Sequence, residues 1–106
     1  RLVGPHVVGD EERARTVVNP GLSAPGLELM RRFDVRDRLG GVTSPTLVCV
    51  GELDLVTPVG AARELANALP EGVARLEVLD GAGHFPWLDV PDRYWPLLTA
   101  FVAGLP

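Results

Sequence analysis

Asp54 and His84 are the two side chains in this sequence whose types and settings could carry chemistry together. Asp54 lies in G-E-L-D-L-V-T-P (51–58), directly after the apolar run P-T-L-V-C-V (45–50). His84 lies in L-D-G-A-G-H-F-P-W-L (79–88), directly after A-R-L-E-V-L (74–79). Both runs read as strands, and in open parallel sheets reactive groups gather in the loops beyond the carboxyl ends of strands. A carboxylate and an imidazole placed there can form a proton relay. The imidazole takes a proton from a nucleophile while the carboxylate fixes the ring and stabilises its charged form. Each residue also has a plainer use. Asp54 could close an Asx turn, and His84 could bond to loop backbone. Gly81 and Gly83 would permit the tight turn that presents an imidazole.

The elements around these residues read as strand, helix, strand, helix. Residues 46–50 are apolar on both faces, as in a strand covered above and below. Thr57 and Pro58 open a helix, the hydroxyl capping free N–H groups and the proline taking the first helical position. Val59, Ala62, Ala66 and Leu69 then recur at helical spacing until Pro70 and Gly72 stop the run. Residues 74–79 alternate, Ala74, Leu76 and Val78 against Arg75 and Glu77, which places this strand near a sheet edge. One right-handed crossover joins the two strands. A closing helix carries Leu97, Leu98, Phe101, Val102 and Leu105 as an apolar stripe. An interior proline costs about 3 kcal/mol, so this helix is expected to begin at Pro96, with 91–95 as a separate turn. Trp95 and Tyr94 pack it, and Cys49 is a mid-strand core residue.

Residues 1–44 differ, being rich in arginine, acids, glycine and proline. Short helices are expected near 10–17 and 26–32, with 19–26 (N-P-G-L-S-A-P-G) as a loop. His6, Arg31, Arg32, Arg36 and Arg38 read as surface, and Glu52 and Asp80 as solvated loop residues. A two-stranded parallel sheet whose first strand is apolar on both faces still wants a neighbour at its open edge.

Composition narrows the functions. The 106 residues allow at most one compact domain, and 46% hydrophobic content is that of a globular chain. The net charge is −4, with 14 acidic residues against 10 basic ones. No basic stripe emerges, so nucleic acid is not an expected partner. No run approaches the roughly 20 apolar residues of a membrane span. The single Cys49 fits a reducing, cytoplasmic compartment. His6, His84 and Cys49 are not at metal-ligand spacing, and neither a metal nor a cofactor is expected.

Taken together, P-T-L-V-C-V-G-E-L-D-L-V-T-P (45–58) and G-A-G-H-F-P-W-L-D-V-P-D (81–92) resemble the C-terminal part of an α/β-hydrolase. The lead-in D-V-R-D-R-L-G-G-V-T-S (34–44) resembles the passage from that family's cap into the acid-bearing strand. Proline-iminopeptidase-like hydrolases look nearest, although ester, epoxide, haloalkane and C–C bond hydrolases share these segments. The resemblance implies an α/β fold: the C-terminal βαβα part of a parallel α/β-hydrolase sheet over 34–106, preceded by an irregular helical cap remnant over 1–33. It makes Asp54 the acid and His84 the base of a triad. Val56, Phe85 and Trp87 would line the substrate pocket.

In this family the nucleophile precedes the acid, on an elbow of the type G-x-S-x-G. Ser44 stands at a strand entrance, and Ser23 in G-L-S-A-P lacks both the second glycine and a preceding strand. Neither qualifies. The expectation is therefore a C-terminal piece of an enzyme hydrolysing an acyl bond, ester or amide, in a small molecule or short peptide. It would be inactive until joined to its missing N-terminal half. The alternative is a non-catalytic assembly module that completes its sheet with a partner chain or by self-association.

Overall fold

The computed structural model describes residues 9–17 and 19–106. His6 lies outside them. The elements run α1 (Asp10–Ala14), α2 (Pro20–Arg32), a 3-10 turn (Arg36–Gly41), β1 (Thr46–Gly51), α3 (Val59–Ala68), β2 (Ala74–Leu79), α4 (Pro86–Asp89) and α5 (Pro91–Ala103). β1 and β2 pair in parallel, from Thr46 opposite Ala74 to Gly51 opposite Leu79. The expected βαβα order holds, and the fold is an α/β unit with a parallel sheet.

Side chains alternate across the sheet and sort the core into two layers. Val48 and Val50 are buried on one face, beside Ala61, Ala62 and Leu65 of α3. On the other face Leu79, Ala82 and Val90 form a small core against which Cys49, Tyr94 and Leu97 pack. Cys49 is thus half-buried. In β2 only Leu79 is buried, and Arg75 and Glu77 pair along the strand at 2.8 Å. That matches the partly covered strand expected from its alternation.

The outer edge of β1 has no strand beside it among the described residues. Thr46 donates its N–H to Val73 and Glu52 donates to Leu79, so the even positions of β1 face β2. The N–H and C=O groups of Leu47, Cys49 and Gly51 consequently point outward. Apolar cavities flank this edge on both faces. One of about 250 Å³ lies between Leu47 and Cys49 of β1 and Leu97, Leu98 and Phe101 of α5. The other, about 270 Å³, lies between Val48 and Val50 and the α3 residues Ala61, Ala62 and Leu65.

Three sequence expectations are corrected here. Residues 19–26 are not a loop. Asn19 caps α2, its side chain accepting from the Gly21 N–H at 3.0 Å, and Pro20 occupies the first turn. Asn-Pro is a helix-start signal as much as a turn signal. α2 nevertheless buries no residue and leaves Leu29, Met30 and Phe33 exposed. Second, α3 begins at Val59 with Pro58 as its N-cap and no side-chain cap. Its end matches expectation: Leu69 is extended before Pro70 and is buried. Third, α5 starts at Pro91 and runs unbroken through Pro96. Pro91 is the residue suited to a first turn, and Tyr94 already bonds back to the Val90 carbonyl at 2.9 Å.

The helix therefore forms in spite of Pro96, which gives up a bond to the Asp92 carbonyl. Because Pro96 is exposed, Pro96→Ala should restore that bond without opening a cavity. Thermal unfolding followed by circular dichroism should show a gain of about 1–3 kcal/mol.

Candidate active site

The parallel register brings the ends of β1 and β2 to the same level, and the loops that follow them meet. Glu52 N–H donates to the Leu79 carbonyl at 3.0 Å, and Leu53 N–H donates to the Ala82 carbonyl at 2.9 Å. Gly81 N–H donates to the Glu52 carboxylate at 3.2 Å. Glu52 is thus a tie between the loops rather than only a solvated acid. Gly51 marks the closest approach. A Cβ there would lie 2.2 Å from the Gly83 carbonyl oxygen and 2.5 Å from that of Ala82.

The histidine loop is held from its far side as well. Gly81 takes φ +72°, the left-handed turn expected of it. Gly83 contributes differently: it is buried, and its N–H donates to the Asp89 carboxylate of α4 at 2.6 Å. Arg93 of α5 donates to the Asp80 carbonyl.

These ties place His84 Nδ1 3.0 Å from Asp54 Oδ2. Asp54 is 5% exposed, the one buried charged residue among those described. Its other oxygen, Oδ1, accepts the Val56 N–H at 2.8 Å and the Thr57 N–H at 2.9 Å. This is the Asx turn that stood as the plainer reading of Asp54. The turn and the contact with His84 coexist, because they use different oxygens. Thr57 Oγ1 donates to Oδ2 at 2.9 Å, which explains why it does not cap α3.

Burial opposes ionisation of Asp54 more than any single contact favours it. The hydrogen bonds from His84, the Thr57 N–H and hydroxyl, and the Val56 N–H together outweigh it, and the carboxyl titrates below its ordinary 3.8. A carboxylate can only accept, so Nδ1 carries the ring hydrogen and Nε2 keeps its lone pair. A ring held this way can take a proton from a hydroxyl brought to Nε2.

An aromatic chain runs from the histidine into α5. Ring centroids are 5.2 Å apart for His84–Phe85, 5.6 Å for Phe85–Trp87, 5.9 Å for Trp87–Tyr94 and 5.0 Å for Tyr94–Trp95. Phe85 therefore packs directly on His84. Trp87 and Val56 are exposed, Trp87 one ring further along and Val56 on the aspartate loop. Neither serine joins the pair: Ser44 precedes β1 at its opposite end, and Ser23 lies in α2 bonded to Asn19. Burial pushes the Cys49 thiol up in pKa, away from nucleophilic use. Among the described residues no cluster of metal-binding side chains gathers, and no helix is long and apolar enough to cross a membrane.

Sequence reasoning missed Gly51, Thr57 and Asp89 as parts of the site. The G-x-x-D spacing could have pointed to Gly51. The other two have near partners, Thr57 three residues from Asp54 and Asp89 six from Gly83, but the loop conformation rather than the spacing selects those bonds.

No family model matches the chain. It is 34% identical over 117 residues to a pimeloyl-(acyl-carrier protein) methyl ester esterase of Aromatoleum aromaticum, covering 98% of this chain and 46% of the relative. The corresponding esterase of Nitrosomonas europaea is 30% identical over 106 residues, covering 89% and 41%. Among solved structures, a thermophilic esterase from Thermogutta terrifontis superposes with a TM-score of 0.67 at 29% identity, covering 78% of this chain and 30% of that one. The fold is that of an α/β-hydrolase. The relatives are esterases by name, and this chain spans less than half their length.

Gly51→Ala should push the histidine loop off β1. It should destabilise the protein by about 1–3 kcal/mol in urea and abolish the low-field Nδ1–H proton signal of His84. Asp54 gives a pH prediction. Its folded-state pKa is depressed, so its stabilisation is complete above the unfolded value and lost as pH falls through the folded one. Urea titrations should show stability declining from near pH 3.8 downward, and Asp54→Asn should flatten that decline.

Proposed function

We propose that this chain supplies the acid and base of a nucleophile–His–Asp relay hydrolysing an ester, the nucleophile lying on polypeptide outside these 106 residues. One observation carries the reading: His84 Nδ1 stands 3.0 Å from a buried Asp54 carboxylate at the shared carboxyl end of two parallel strands. His84 is the general base. Nε2 takes the nucleophile's proton as its oxygen attacks the ester carbonyl, and returns that proton to the departing alkoxide. Water then attacks the acyl intermediate by the same route and frees the acid. Asp54 holds the tautomer and stabilises the imidazolium. Oxyanion donors would come with the nucleophile.

The relatives' names favour an ester over the peptide bond that an iminopeptidase-like resemblance implies. Phe85, Trp87 and Val56 form the near wall of the substrate site, the first because it packs on the imidazole. Residues 1–33 are a cap-derived segment. The uncovered edge of β1, with apolar cavities on both faces, suits a further strand from the missing half. That same edge would serve an assembly module without catalysis, and activity separates the two.

In the full natural protein His84→Ala and Asp54→Asn should each lower kcat/KM for a nitrophenyl ester by about 10³–10⁴-fold. The present chain alone should hydrolyse no more than its His84→Ala control. Turnover by the isolated chain that disappears with His84→Ala would overturn the division of the relay.

A further inference from the structure

We infer that Thr57 is a positioning residue for this relay, its hydroxyl setting how much negative charge Asp54 presents to His84; the inference rests on the relay reading above. Thr57 Oγ1 lies 2.9 Å from Asp54 Oδ2 and 3.4 Å from His84 Nδ1, so hydroxyl and ring converge on one oxygen. The longer distance is too great for a strong bond, and the hydroxyl acts through the carboxylate.

Two observations separate this role from ordinary structural use. The hydroxyl does not cap α3, which has no side-chain cap. Nor is it needed to orient the carboxylate, because Oδ1 is already fixed by the Val56 and Thr57 amides. Those backbone bonds survive a change of side chain at 57. What the hydroxyl adds is confined to Oδ2, the oxygen that accepts Nδ1–H. A donor there draws charge from the shared oxygen, and the bond from the ring is correspondingly weaker. Asp54 then stabilises the imidazolium less than it would with His84 as the only donor to Oδ2.

The other charged groups around the pair are committed elsewhere. Glu52 on the aspartate loop holds the Gly81 N–H, and Asp89 of α4 holds the Gly83 N–H. Arg93 of α5 reaches the Asp80 carbonyl, and Glu64 of α3 pairs with Arg36 at 3.0 Å. Thr57 is the side-chain hydroxyl that meets the relay oxygen itself.

The test compares Thr57→Val, which keeps the shape and the amide, with Thr57→Ser, which keeps the hydroxyl, in the full natural protein. Two readouts serve: the acid limb of the pH–kcat/KM profile and the low-field proton signal of His84 Nδ1–H. Thr57→Val should move the acid limb upward by about half a pH unit and the proton signal further downfield. Thr57→Ser should leave both at their original positions. Should Thr57→Val fail to fold, Thr57→Ala carries the same expectation. An unmoved or downward limb, or an equal shift in Thr57→Ser, overturns the assignment. If His84→Ala stays active, the relay reading fails, while the proton signal still judges Thr57 on its own.

Discussion

The site depends on the parallel, in-register pairing of β1 with β2. Gly51 stands opposite Leu79, so both strands stop at one level and deliver their loops to the same point. Two backbones cannot occupy that point unless one of them lacks a side chain. Gly51 meets this requirement, and the carbonyls of Ala82 and Gly83 pass where its Cβ would be. Ala82 is fully buried as a result. Asp54 and His84 become neighbours because of this approach, and the helices α3 and α5 cover the two faces of the strands that enforce it.

A buried carboxylate is unfavourable until its oxygens are satisfied. The fold satisfies Asp54 locally, with an Asx turn formed by the next residues of its own loop. That turn also leads the chain into α3. The remaining oxygen is left for the imidazole and for Thr57. Structure and chemistry therefore share one side chain, and a change at Asp54 affects the loop, the start of the helix and the histidine together.

The rest of the chain is less self-contained. β1 carries the buried Val48 and Val50 although its outer edge is open among the described residues, and α5 meets it across a cavity. α2 is held by its own cap and by Glu28 pairing with Arg31 and Arg32, with no buried residue to anchor it. Arg36 is the better link, pairing with both Asp34 and Glu64 of α3. It holds the Asp34 carboxyl down at a pKa of about 2. Apolar surface without cover and a strand without a second neighbour among the described residues agree with a chain that spans less than half of its relatives.

Much of this was present in the sequence alone. Apolar runs of strand length, the helical spacing from Val59 to Leu69, and an acid and a histidine each just past a strand are local patterns, and local patterns are what periodicity and turn chemistry encode. The pairing of Asp54 with His84 was legible for the same reason, once both strands were read as parallel. Local signals also misled: Pro96 argued against a helix that Pro91 starts, and Asn19-Pro20 read as a turn although it caps a helix. What only the tertiary structure decided was how shared atoms are divided. Thr57 turns to Asp54 instead of α3, Glu52 and Asp89 grip the histidine loop, and Gly51 admits that loop's backbone. Gly51 and Glu52 meet partners from a distant segment, while Thr57 and Asp89 have near partners that only the folded loop conformation selects. Side chains able to make two bonds commit to one when the fold brings that partner within reach.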